Sequence, residues 1–398
     1  MAGNHQLSDP GQLVVSQKTK ILYSILMFVG FLTFVFTVYN SPERAWHAYL
    51  VGFFYFVSLA MGGFFFTSIQ HATKAGWSVN VRRIMESFIA FLPWAAVFAG
   101  ILMIGAPYVY EWLHAEEVAQ DYLLQHKEGY LNQFFYTIRT VVFFVGWILI
   151  GGKMIKRSLQ QDESGDESLT HKNASLAVGA LVFFALSYSL FSVDALMSIE
   201  AHWFSTIFGV YTFAGLFQST MAFMILTIFA LHKKGYLKEY VTMDHVHDLG
   251  KFLFGFTVFW AYIAFSQYML IWYANLPEES FYYVTRSQQP WVYVSLALIV
   301  FKFIVPFFAL LPRWAKRTPA YLTPICYLIL IMQFVDIYWM VYPGLNEEHL
   351  VFGISEILIF GGFLGAFLFT TTRFLSKHKL VPIKDPRIHE SNHHHVVY

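Results

Sequence analysis

The sequence predicts an all-α polytopic membrane protein with about ten transmembrane helices, and three observations carry that expectation. Mostly apolar stretches run at 19–40, 46–72, 84–110, 130–155, 174–199, 203–231, 249–274, 290–312, 319–342 and 350–375. Each can cross a hydrocarbon core of roughly 30 Å as a helix rising ~1.5 Å per residue. Open sheets cannot span lipid, and barrel strands would be about half this length. Composition agrees, because 57% of the residues are apolar and only 13% charged. The cations also sort by loop: 20 flank the even-numbered turns and both ends, whereas Arg44, Lys127 and Arg286 alone lie on the opposite side, among its acids. By the positive-inside rule both termini face the cytoplasm.

The ten spans define the domain plan. Residues 1–18 form a cytoplasmic N-terminal segment, 19–375 a membrane domain and 376–398 a cytoplasmic tail. No cleaved signal is expected, since the first apolar run is of full membrane length and lacks a small-residue cleavage site. The single cysteine, Cys326, excludes disulfides, Cys-ligated iron–sulfur clusters and structural zinc. Gln160–Ser168 (QQDESGDES) reads as a solvated loop, and His393, His394 and His395 as a disordered polar end. Residues 111–129, with Trp112, Leu113, Leu123 and Leu124 among acids, read as an amphipathic helix on the outer surface or a partner-docking surface. Pro93, Pro306 and Pro324 are expected to kink their helices.

Spans 2–5 resemble spans 6–9. A His–Trp pair stands at each start (Trp46–His47, His202–Trp203), one cation sits in spans 4 and 8 (Arg139, Lys302), and Val-Asp closes spans 5 and 9 (Asp194, Asp336). An offset of four helices keeps both halves in one orientation, so 46–199 and 203–342 read as two parallel-repeat four-helix bundles flanked by spans 1 and 10.

Intramembrane charge costs ~2.5–3.5 kcal/mol on insertion scales and needs a partner, water or a function. Depth arithmetic pairs Arg139 with Asp194, and Lys302 with Asp336 beside Gln333. Gln267 lies at a similar outer depth, and Glu356 enters span 10. On the cytoplasmic side Glu86 opens span 3, and His247, Asp248 and Lys251 crowd the start of span 7. Two readings stay open: half-channels of a proton route, or structural clasps, with Glu86 and Lys251 simply solvated near the interface. On the proton-route reading, Asp336→Asn or Asp194→Asn lowers translocation and leaves assembly intact. No span carries a histidine at its middle, which excludes a haem-binding cytochrome. Metal ligation and a catalytic residue are not expected.

Over essentially its whole length, and most specifically at Met243–Glu279 (MDHVHDLGKFLFGFTVFWAYIAFSQYMLIWYANLPEE), the chain resembles the NrfD, or polysulfide-reductase-like, membrane subunits. More narrowly it is similar to the shorter NrfD-like subunits of alternative complex III. The resemblance implies a quinol:cytochrome c (or other periplasmic acceptor) oxidoreductase in a bacterial inner membrane. The implied partners are a second NrfD-like subunit, a periplasmic iron–sulfur subunit, c-type cytochromes, a haem-copper oxidase and lipids, with no nucleic acid. Haem c and iron–sulfur clusters would reside in those partners. The shorter subunit would serve assembly and a proton path, with Glu86, Arg139 and Asp194 on one route, and His247, Asp248, Lys251, Gln267, Lys302 and Asp336 on the other; Glu356 is a further candidate. A quinone site is expected, if at all, around His47, Arg139, Asp194 and His202. The rival readings are a subunit that itself oxidises quinol and a stand-alone secondary transporter.

Overall fold

The computed structural model describes residues 9–395, so the first eight residues of the expected N-terminal segment and the last three of the tail lie outside the described residues. The protein is all-helical, with no strand among the described residues and ten helices long and apolar enough to cross a membrane. They are α1 (Gln17–Asn40), α2 (Pro42–Ala72), α3 (Gly76–Tyr108), α4 (Gln133–Ser164), α5 (Ser168–Ile199), α6 (Phe208–Lys233), α7 (Met243–Ala274), α8 (Trp291–Leu310), α9 (Pro319–Gly344) and α10 (Ile354–Leu375).

Local chemistry sets the ends. Ser16 caps α1 by accepting the Thr19 amide, and Asn132 caps α4 by accepting the Phe135 amide at 2.8 Å. Pro42 and Pro319 stand in first turns, where a missing N–H costs nothing. Gly165, at φ 71°, ends α4 in the left-handed region. The expected loop at Gln160–Ser168 is thus helical on both sides of a turn at Gly165–Glu167; its charges extend two helices past the apolar zone, where hydropathy loses them. Pro93 breaks α3 after Ile89. Pro324 lies inside a continuous α9, and Pro306 follows a π-helical segment, Leu298–Ile304, within α8.

Helices α2–α5 pack as a bundle in which α2 touches α3 and α5, and α4 touches α3 and α5. Helices α6–α9 repeat that pattern: α6 meets α7 and α9, and α8 meets α7 and α9. The bundles join where α2 lies against α6 and α9, and α5 against α6. Thr220 of α6 occupies the space beside Gly62 of α2. Helix α10 leans on α2 and α3, and α1 rides on α10.

That outer contact is backbone on backbone. A Cβ on Gly30 would stand 2.5 Å from the Gly362 Cα, so only glycine permits this approach. Gly30→Ile is expected to pry α1 from α10 at a cost of about 1–3 kcal/mol, read as a lowered thermal midpoint in detergent. An unchanged midpoint would mean that α1 contributes nothing to the fold.

The chain ends share one face, here the terminal face: Leu13 N–H donates to Leu375 O, and Leu380 N–H to Gly11 O. Through His395 the tail packs on the protein rather than forming the expected disordered end. Leu380, Val381, Asp385 and Ser391 are buried, and Ile388–Asn392 is helical. Its carboxylate and hydroxyl satisfy groups that α3 and α7 expose: Arg82 donates to Asp385 at 2.6 Å, and Ser391 bonds the Asn80 amide and His245. On the opposite, distal face, the expected amphipathic helix at 111–129 is three short pieces, Glu111–Leu113, Ala115–Gln120 and Tyr122–Lys127. They are pinned by buried Trp112, whose indole donates to Ser198 O at 3.1 Å.

The three cations that stood apart from the charge bias are each held by protein. Arg44 makes a two-pronged pair with Glu356 at 2.7 and 2.8 Å, Lys127 donates to Ala201 O, and Arg286 pairs with Glu200 at 2.6 Å. Structural anchoring accounts for their position.

Candidate functional site: two buried cation–carboxylate centres

Arg139 projects from α4 and Asp194 from α5, where each compensates the other. Nε and Nη2 donate to the two Asp194 oxygens at 2.8 and 3.0 Å, and Nη1 donates to Tyr130 O at 2.9 Å. The guanidinium lies 3.8 Å from the Tyr130 ring centre and 4.5 Å from that of Phe135. Both charges are buried.

The second centre has the same plan and more donors. Lys302 Nζ donates to Asp336 Oδ2 at 2.5 Å and to Gln333 Oε1 at 2.7 Å. The Tyr211 hydroxyl donates to Asp336 Oδ1, and Trp260 Nε1 to Oδ2 at 3.2 Å. Lys302 sits on the π-helical segment, and Pro306 has no N–H to return to its carbonyl. Gln218, itself bonded to Thr257 at 3.0 Å, places Nε2 3.5 Å from that carbonyl. Wide turns in α8 thus accompany the placement of a lysine against α9. Tyr211, Trp260 and Gln218 were not legible as partners, because no spacing within one helix reports a contact between two.

On the terminal face Glu86 is wholly buried rather than solvated. It stands 3.5 Å from Arg82 and 3.0 Å from Arg83, which reach on to Asp385 and Asp162. Burial acts to raise the Asp385 carboxyl, but Arg82 and the Arg387 amide outweigh it and hold the group below its ordinary value of 3.8. Such a group stabilises fully above its unfolded value, and the contribution is lost as pH falls through the folded one. The tail is therefore expected to resist protease through the neutral range and to loosen only on strong acidification. Asp385→Ala should expose it at neutral pH, and unchanged digestion of that variant would refute the latch. The signal for this cluster was present in Arg82 and Arg83, but both read as ordinary loop cations.

In the second bundle, Asp248 bonds Lys251 at 2.5 Å and His394 at 2.6 Å. His247 is buried beside them, and Lys251 is half exposed. Glu356 is not joined to either centre: its oxygens bond Arg44, Tyr342 and the Gly353 amide, a clamp between the starts of α2 and α10. Gln267 bonds Ser205 and Tyr283 rather than Asp336. His47 directs Nδ1 at the Glu43 carbonyl of its own helix, 2.7 Å away, while buried Nε2 has no protein partner. His202 bonds Asp121 at 2.6 Å, which holds that partly exposed carboxyl below its usual range. His47, the Arg139–Asp194 pair and His202 thus point at different partners.

Among the clefts between the helices, two are lined mainly by apolar and aromatic groups at the outer surface of the bundles. One, of about 450 Å³ between α1, α3 and α10, is lined by Met27, Phe31, Trp94, Phe98, Phe363 and other apolar groups. The other, of about 570 Å³ between α7 and α8, includes Tyr211, Trp260, Tyr268, Tyr283 and Arg286. Among the described residues no group of three or more metal-ligating side chains comes together.

These features define a ten-helix membrane protein with a buried ion-pair centre in each of two bundles. No protein-family model matches the chain, and no curated protein matches it.

Proposed function

We propose that this chain is an integral membrane subunit of a quinol:cytochrome c (periplasmic acceptor) oxidoreductase of the alternative complex III type, in a bacterial inner membrane. Its terminal face is cytoplasmic. The observation that carries the reading is the pair of buried centres, Arg139–Asp194 and Lys302–Asp336, at equivalent places in two bundles of matching packing. Intramembrane charge is costly, and duplicating it suits a membrane subunit that handles protons as well as holding its neighbours.

In the first bundle the groups between Glu86 and Asp194 have the makings of half-channels. Buried Thr67, Gln70, His71, Ser158 and Asn173 each hold a polar atom with no protein partner, which calls for water at the terminal end. Midway, the Ser58 and Tyr188 hydroxyls meet at 3.0 Å. Ser58 is ~14 Å along α2 from Thr67. Phe64 and Phe184 pack within that interval, and Phe54 and Phe191 pack between the hydroxyl pair and Asp194, so the middle of the bundle is aromatic. In the second bundle Gln218–Thr257 holds the middle position, between His247–Asp248 and Lys302–Asp336.

Electrons pass through partners: a second NrfD-like chain, an iron–sulfur subunit and c-type cytochromes, with a haem-copper oxidase as a further neighbour. The test is gentle-detergent purification of the chain with mass spectrometry and a visible haem spectrum. Co-purification of those subunits is the expected result. A lone, colourless chain that takes up solute in liposomes would overturn the reading and favour a transporter.

A further inference from the structure

The cleft between α7 and α8 is not part of any site read from the sequence. It runs along α8 from Val292 to Phe303, about 16 Å, and its volume of about 570 Å³ suits a small-molecule ligand. Phe265, Leu296 and Ile299 stand at its rim, each at least half exposed, so the cleft is open to hydrocarbon. Its inner wall holds Tyr211 and Trp260, two of the side chains that donate to Asp336.

Its polar chemistry selects among amphiphiles. The Tyr283 hydroxyl accepts a hydrogen bond from Gln267 Nε2 at 2.9 Å, which leaves its own proton to donate. Tyr268 lies edge-on to the Tyr283 ring, with centres 5.2 Å apart, and gives an aromatic wall. Arg286 is the one cation lining the cleft, and it is already occupied. Its Nε and Nη atoms donate to Trp339 O, Tyr282 O, Met340 O and Glu200 Oε1, and its face covers the Tyr282 ring at 3.4 Å. A phosphate would find no vacant cation here and would stand near Glu200 and Asp336. A neutral ring bearing carbonyl or hydroxyl oxygens and an apolar tail meets no such penalty.

We propose that this cleft binds the headgroup of an isoprenoid para-quinone or its quinol, with Tyr283 donating to one ring oxygen and the tail leaving past Phe265 and Leu296. The choice of quinone rests on the function proposed above, whereas the exclusion of an anionic headgroup rests on Arg286 alone. The bound ring lies one side chain from Asp336, so occupancy of the cleft and the state of the Lys302–Asp336 centre are coupled through Tyr211 and Trp260.

The experiment uses the chain with whatever subunits co-purify, in nanodiscs, and a photoreactive azido-quinone with a short tail as probe. Peptide mapping is expected to find the label between Trp260 and Ser287. Ala264→Trp, which fills the cleft, should reduce that label about tenfold, and Tyr283→Phe should weaken it without blocking the space. Label concentrated near His47 and Asp194 overturns the proposal. So does label indifferent to both substitutions, or a phospholipid found in the cleft by native mass spectrometry and displaced by Ala264→Trp. A chain labelled as expected yet purified without electron-transfer partners upholds the cleft and refutes the wider function instead.

Discussion

Asp194→Asn is expected to destabilise the protein by about 3–5 kcal/mol, the range for stranding one partner of a buried ion pair. The size follows from the cation left behind. Arg139 is 6% exposed, and a guanidinium does not release its proton in a protein. Removing the carboxylate charge therefore leaves a permanent cation among Tyr130, Phe135 and lipid-facing helices, held by one carbonyl, two ring faces and the neutral amide oxygen of the new asparagine. The sequence alone led to the expectation of intact assembly for this variant, and the geometry reverses it. Thermal unfolding in detergent reads the effect directly. Arg139→Leu combined with Asp194→Leu should recover much of the loss, because neither charge is then stranded. A single variant within about 0.5 kcal/mol of the parent would show that water reaches the pair. On this argument the first centre clasps its helices whatever else it does, so the proton role proposed above is tested more cleanly at the second.

The ten spans were legible because a membrane helix must be apolar for about 20 residues, whatever it packs against. Its ends were not. α4 and α5 continue through Gln160–Ser164 and from Ser168, and α7 starts at Met243 rather than near 249, because helix propensity outlasts the apolar zone. The two ion pairs were legible for a related reason: a charge within lipid demands a partner, and residue depth leaves few choices. Glu86 shows the converse. Near a helix start, solvation and burial look alike in sequence, and what buries Glu86 is Asp162 from α4 and Asp385 from the tail, through two arginines. Tyr211 and Trp260 were hidden among 43 Phe, 24 Tyr and 11 Trp, whose abundance removes their value as markers. The α7–α8 cleft is a property of packing alone. Only Arg286, a cation on the side with few, offered a hint, and its burial against Glu200 now explains it.

Asp336→Asn is expected to lower proton translocation while the chain still assembles, because its lysine differs from Arg139 in one respect that matters. The Lys302 amine can give up its proton, so loss of the carboxylate need not strand a charge. Asparagine keeps one oxygen, enough for Tyr211 or Trp260 but not both because these donate to different Asp336 oxygens, and Gln333 remains for Lys302. What disappears is the group that, on the proposed function, takes a proton and passes it on. In the parent, Lys302 and Tyr211 both present a hydrogen to Asp336, so transfer between them needs no movement of helices. Tyr211→Phe should act in the same direction and cost about 0.5–1.5 kcal/mol in stability, the worth of one hydrogen bond. The measurement is acidification by the reconstituted complex per electron passed to the acceptor, with a pH-sensitive dye inside the vesicles. A reduced ratio at unchanged subunit content assigns proton conduction to this centre. An unchanged ratio with normal assembly makes Lys302–Asp336 a second clasp, since a wire through this centre cannot survive removal of its carboxylate. Loss of the complex in Asp336→Asn would instead mean that Lys302 keeps its charge when unpaired, and the distinction drawn between arginine and lysine would fall with it.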